Sequence, residues 1–163
     1  MKKNKRLVLL LLFITASLFV LNAQSKKERR AQKEKQVKEL IESGSYRIDV
    51  STAYPQRGRT IQLSSPYSIE IRNDSVFSYL PYYGRAYSIP YGGGQGLIFN
   101  APLDTYRIET EKNNATKISF TTRTQEDRFD FRIKVFTNGT ASIDVSMQQR
   151  QSISFAGGLF LPL

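Results

Sequence analysis

Apolar side chains change rhythm once along this chain, at Gly44. Before it, in Ser25 to Ser43, the few apolar positions (Ala31, Val37, Leu40 and Ile41) fall at helical spacing among charged neighbours. Ser25 and Glu28 fit a capping box, and Gly44 can take the left-handed conformation that ends a helix. Residues 24–44 are therefore predicted to form one charged helix of which only the last two turns can dock on a core. After Gly44 the period is two. Tyr46, Ile48 and Val50 alternate with Arg47, Asp49 and Ser51 in a first strand. Ile61 and Leu63 mark a second, and Tyr67, Ile69 and Ile71 a third. Asn73-Asp74 is a turn signal, followed by the strand Val76 to Leu80.

Three later turns test the pattern, because hairpin register decides which side chains share a face. A two-residue loop at Gln125-Glu126 sets Thr122 opposite Phe129, Phe120 opposite Phe131, and Ile118 opposite Ile133. A three-residue loop from Thr137 to Gly139, with Gly139 left-handed, sets Ile133 opposite Ile143, Phe131 opposite Val145, and Arg132 opposite Asp144. The same loop length at Asn113 to Ala115 sets Ile108 opposite Phe120 and Glu111 opposite Lys117. Four strands then agree on one apolar and one charged face.

With Leu97 to Phe99, Ile153 to Phe155 and the apolar tail Leu159 to Leu163, the count reaches eight or nine short strands. The expectation is a mainly β protein over residues 45–163. Its antiparallel up-and-down meander closes as a small barrel or sandwich, lipocalin-like at the level of class, with the helix over one opening or edge. A membrane-spanning barrel would need strands of about 9–11 residues and aromatic girdles, whereas these strands run nearer seven.

Composition adds a compartment. Lys2, Lys3, Lys5 and Arg6 precede the uncharged stretch Leu7 to Leu21, and Ala23 offers a small residue for cleavage, so residues 1–23 read as a secretory signal peptide. A periplasmic or secreted protein is expected. Without cysteine, lipid attachment and disulfides are excluded. The formal charge of +10 loses four units with the leader, and half of the remaining excess lies in residues 25–43. That distribution disfavours nucleic acid and leaves an anionic envelope surface as a partner for Lys26, Lys27, Arg29 and Arg30.

Histidine is absent as well, which removes Ser-His-Asp and Cys-His catalysis and nearly every zinc, copper or haem site. No metal and no cofactor is expected, and no enzymatic activity. A carbohydrate hydrolase working through carboxylates such as Asp104 and Glu109 is the weakest of the readings, because no spacing selects that pair.

The segment Tyr79 to Gly94 stands apart, with five tyrosines, two prolines and four glycines in sixteen residues. It is too rich in glycine and proline for a central strand and too aromatic for an ordinary solvent loop. Tyr82, Tyr83, Arg85, Tyr87 and Tyr91 could grip a small ligand, a glycan or a peptide, the rings stacking and the guanidinium forking onto a carboxylate or phosphate. Equally, the rings could seal one end of the barrel. The run from Ser78 to Tyr87, then Pro90 to Gly94 and Leu97 to Phe99, resembles the DUF4251 family, small exported proteins of Bacteroidetes-type bacteria. The resemblance spans the chain from the helix onward and implies a Gram-negative envelope location. It carries no activity with it. Lipidated members would have a cysteine near the cleavage site, which this chain lacks. The reading is a non-enzymatic binding or interaction module, with envelope tethering through the basic helix as its alternative.

Overall fold

A computed structural model describes residues 26–88, 94–112 and 114–162 of the chain. The expected leader (residues 1–23), Ser25 of the expected capping box, and Tyr91 lie outside the described residues. Helix α1 covers residues 26–42 and is followed by eight strands. These are β1 (Tyr46–Pro55), β2 (Ile61–Arg72), β3 (Ser75–Leu80), β4 (Leu97–Thr110), β5 (Thr116–Arg123), β6 (Arg128–Val135), β7 (Thr140–Met147) and β8 (Ile153–Leu159). Each pairs antiparallel with the next, and β8 returns to β1, so the sheet closes as a barrel rather than a sandwich.

The alternation decides what fills it. Phe120, Phe129, Phe131 and Phe155 are fully buried inside, with Ile48, Ile69, Ile118, Ile133 and Ile143. Phe120 stacks on Phe131 at 4.7 Å, and Phe99 on Phe129 at 4.4 Å. Each such side chain contributes about 1.5–3 kcal/mol by leaving water. The outer wall carries charged pairs instead, among them Arg47 with Asp49 at 2.7 Å and Arg128 with Asp130 at 3.4 Å. Apolar residues face inward and charges outward, the reverse of what a lipid-facing wall requires.

The hairpins at Gln125-Glu126 and Thr137 to Gly139 have the registers read from the pattern, Phe120 against Phe131 and Ile133 against Ile143. Gly139 is left-handed at φ 82°. Asn73 and Asp74 both take positive φ in a two-residue turn between β2 and β3. The β4–β5 turn differs by one residue. Its loop is Lys112 to Asn114, closed by the Glu111 N–H donating to Ala115 O at 2.8 Å. Ile108 therefore faces Ile118, and Glu109 rather than Glu111 faces Lys117. The left-handed position falls on Asn114 (φ 58°), which tolerates it, instead of on the buried Ala115, whose Cβ disfavours it. Glu111 pairs across the sheet with Lys134.

Two strands also run longer than expected. The stretches at Ile61 and Tyr67 are one 12-residue strand, and Leu97 opens a 14-residue strand that continues to Thr110. Pro66 and Pro102 do not interrupt them because Pro66 stands in residues 63–66, which pair with neither β1 nor β3, and Pro102 pairs with β3 but not with β5. Register shifts near Ser51 in β1 and Asp104 in β4 mark bulges, which bend a strand and move the inward phase by one residue.

Helix α1 lies over the opening formed by the β4–β5 and β6–β7 turns and the start of β1. Val37 and Ile41 are buried there and join the core, Leu40 is half-buried, and residues 26–36 are exposed. Gly44 ends the helix at φ 69°.

Candidate functional site

The described part of the tyrosine segment, residues 79–88, lies at the opposite opening. It leaves β3 at the buried Leu80 and Pro81 and lies against the β7–β8 connection, Gln148 to Gln151. Backbone bonds fasten the two together. The Tyr87 N–H donates to Gln149 O at 2.7 Å, and the Gln151 N–H donates to Arg85 O at 3.0 Å. The Gln151 side chain accepts from the Arg85 N–H at 3.2 Å. The Tyr82 hydroxyl lies 3.0 Å from both Arg85 O and Gln151 O. Burial is the main influence on that hydroxyl and raises its pKa, against the lowering effect of its bond to Gln151 and of nearby Arg150.

Beneath this lid sits a polar cluster that sequence reasoning did not single out. Arg150 is only 4% exposed and donates through Nη2 to Glu126 Oε2 at 2.8 Å, with Asp127 Oδ2 3.6 Å from Nη1. Asp127 in turn accepts from the backbone N–H groups of Arg128, Gln148 and Gln149. Glu126 also accepts the Gln95 N–H at 3.1 Å, so one carboxylate ties the far end of the tyrosine segment to the cluster. The bond from Arg150 holds the Glu126 carboxyl below the ordinary glutamate pKa. A Cβ at Gly94 would collide with the Glu126–Arg150 pair, which is why the chain passes over it as glycine. The only sequence signals were the adjacent acids Glu126-Asp127 and the polar run between two strands; their partnership spans more than twenty residues and no local period encodes it.

The structure divides the five predicted contact residues. Tyr82 and Tyr83 are half-buried and pack against the core. Arg85 and Tyr87 are exposed, Tyr87 at 65%, with their backbones pinned as above. Among the described residues the Arg85 guanidinium has no ion-pair partner. Tyr91 lies outside the described residues. Asp104 and Glu109 do not converge: both are exposed on β4, five residues apart, or about 16 Å along an extended strand. Asp104 pairs with Arg123 at 3.1 Å and Glu109 with Lys117 at 3.8 Å. A glycosidase pair stands within about 9.5 Å. Among the described residues no three acids are gathered as a metal site would need.

A second surface lies beside this end of the barrel. Between Gln95 to Pro102 and Arg123 to Glu126 the wall opens into a slit of about 590 Å³. A smaller cavity of about 230 Å³ lies at the other end, between α1 and Ile108, Val135 and Phe136.

The model of a family described as a domain of unknown function, DUF4251, matches residues 28–159. A solved structure of a DUF4251 family protein from Bacteroides eggerthii is similar with a TM-score of 0.60 at 12% identity, over 80% of this chain and 89% of that one. At that identity the likeness concerns the fold. No curated protein matches the chain.

Proposed function

The chain belongs to the DUF4251 family, and from that premise we propose that it is an exported, non-enzymatic binding module of the bacterial envelope whose contact surface is the tyrosine segment. One observation carries the reading. The segment is held rigidly by its backbone while the Arg85 and Tyr87 side chains stand free in solvent. A loop that only sealed the barrel would have no use for a pinned, unpaired guanidinium beside an exposed ring. Preorganised aromatic and guanidinium groups suit a ligand with a flat apolar face and an anionic group, such as an acidic glycan or peptide. Tyr83 completes the candidate surface, and Tyr82 acts as its strut.

The test is a thermal-shift and tyrosine-fluorescence screen against glycans, peptidoglycan fragments, peptides and fatty acids. A ligand at a hundredfold excess over its dissociation constant stabilises the folded state by about 2.7 kcal/mol. A response that Arg85→Ala abolishes without lowering the melting temperature supports the surface. Silence across the panel, or a Tyr83→Ala and Arg85→Ala pair that only destabilises, sinks it.

A second reading, envelope tethering, rests on α1. Its first eleven residues are exposed and carry Lys26, Lys27, Arg29, Arg30, Lys33 and Lys35 clear of the barrel core. Binding to anionic vesicles that falls with added salt would support it, and salt-insensitive partitioning would remove it.

A further inference from the structure

The slit in the barrel wall is bounded by an unpaired strand edge. On one side β4 pairs with β3 from Leu97 to Pro102, but its pairing with β5 begins only at Leu103. Six residues of β4, about 20 Å of strand, thus face the slit without a neighbour. Alternation shows which backbone groups are left over. Pro102 O is aimed at β5, since it accepts the Thr122 hydroxyl at 2.7 Å, while the Leu103 N–H points the other way, to Asp74 O. Ile98 and Asn100 share the direction of Pro102. The Ile98 N–H is used by Gln95 O. Among the described residues that leaves the Asn100 N–H, Asn100 C=O and Ile98 C=O without a partner toward the slit, a ladder waiting for a strand.

The remaining walls say what kind of strand. Phe99, stacked on Phe129, is half-buried beside the gap, and Ile98 is 40% exposed at its rim, so apolar side chains find a floor. Both ends of the slit are pinched, by Thr122 on Pro102 and by Gln95 on Glu126 at 3.1 Å. A strand cannot run through it, which favours the end of a chain over a loop. Of the charged groups lining it, Glu126 has both oxygens engaged, by Gln95 and Arg150. Arg123 is engaged only through Nε, with Asp104, and its side chain is 66% exposed. What remains for a ligand is therefore the Nη edge of the Arg123 guanidinium at the Pro102 end, which shares its charge with Asp104 and can still donate to a second carboxylate.

We propose that this slit is a docking site for the C-terminal end of an extended polypeptide. About three or four residues add to the edge of β4 by main-chain hydrogen bonds to Asn100 and Ile98, place an apolar side chain on Phe99, and set the terminal carboxylate on Arg123. The site is separate from Arg85 and Tyr87, so it stands or falls independently of the tyrosine surface.

The experiment is fluorescence polarisation with a dye-labelled tetrapeptide of valine and phenylalanine, prepared with a free carboxyl end and as the amide. Saturable binding of the acid form is expected, about tenfold weaker for the amide and for Arg123→Ala. Asn100→Pro removes the free donor without touching the β3 pairing and is expected to abolish the binding that persists in the Arg85→Ala protein, whose tyrosine surface has lost its guanidinium. Equal binding of acid and amide, no binding of the acid, or full binding by folded Asn100→Pro would overturn the proposal. If Asn100→Pro does not fold, hydrogen exchange at the Asn100 amide of the unaltered protein decides. Slowing on addition of the peptide supports pairing, and unchanged exchange refutes it.

Discussion

At one end of the barrel Val37 and Ile41 of α1 are pressed onto the core; at the other, the tyrosine segment is laid across Gln148 to Gln151 above Arg150, Glu126 and Asp127. The first closure is apolar and has no required direction, so it costs in proportion to the surface it loses. The second is directional. Its bonds hold only when donor and acceptor are both in place, and a buried charge left alone costs more than the pair contributes. The difference teaches why side chains at the loop end stand in fixed positions. Hydrogen bonds fix positions, whereas packing fixes mainly area.

The contrast can be broken at either end. Arg150→Ala strands the buried Asp127 carboxylate beside Glu126 and is expected to destabilise by about 3–5 kcal/mol, measured by urea unfolding. A loss under 1 kcal/mol would mean the cluster is not the clamp. Ile41→Ala leaves a cavity under α1 and should cost about 2–4 kcal/mol, with hydrogen exchange rising at the helix and not in residues 82–88.

Acid acts on the loop end through Glu126, whereas alkali acts on both ends, through Tyr46 and Tyr82. Because Arg150 lowers the Glu126 pKa in the folded state, its stabilisation is complete above the ordinary value of 4.5 and fades as pH falls below it. Glu126→Gln should flatten that acid slope. Tyr46, at the helix end, has the opposite sign. Burial and the neighbouring Tyr106 raise its pKa, so its contribution is complete below the ordinary 10.0 and fades as pH rises above it. Tyr46→Phe should reduce the alkaline loss, with denaturant midpoints across pH as the readout. The smallest effect belongs to Tyr82→Phe, about 1 kcal/mol for the lost hydroxyl bond to the Arg85 and Gln151 carbonyls. It should loosen residues 82–88 while leaving α1 protected.

What could be read from the chain alone follows the same division. Alternation and turn chemistry are local, so the pairing of Phe120 with Phe131 and of Ile133 with Ile143 was legible, as was the docking of Val37 and Ile41. The Asn113 to Ala115 turn was misplaced by one residue because sliding a three-residue loop by one moves each partner by two and keeps the same faces, so alternation does not choose. The tolerance of Asn114 rather than Ala115 for the left-handed position does. Pro66 and Pro102 obscured the lengths of β2 and β4, since whether a proline breaks a strand depends on a neighbour that sequence does not reveal. At the candidate site the tyrosine segment was conspicuous by composition. Arg150 was not, because its meaning comes from residues 23 and 24 positions away, brought together only by barrel closure.

That closure has a kinetic consequence. The seam joins β1 to β8, with Ser51 and Ala156 meeting across 105 positions of chain. Hairpins between consecutive strands can zip locally and early, but the seam is the contact of greatest sequence separation and carries the highest loop-closure cost. Until β8 is available, the edge of β1 stays open and the phenylalanine core stays wet. A chain still being made cannot complete the barrel before β8 has emerged.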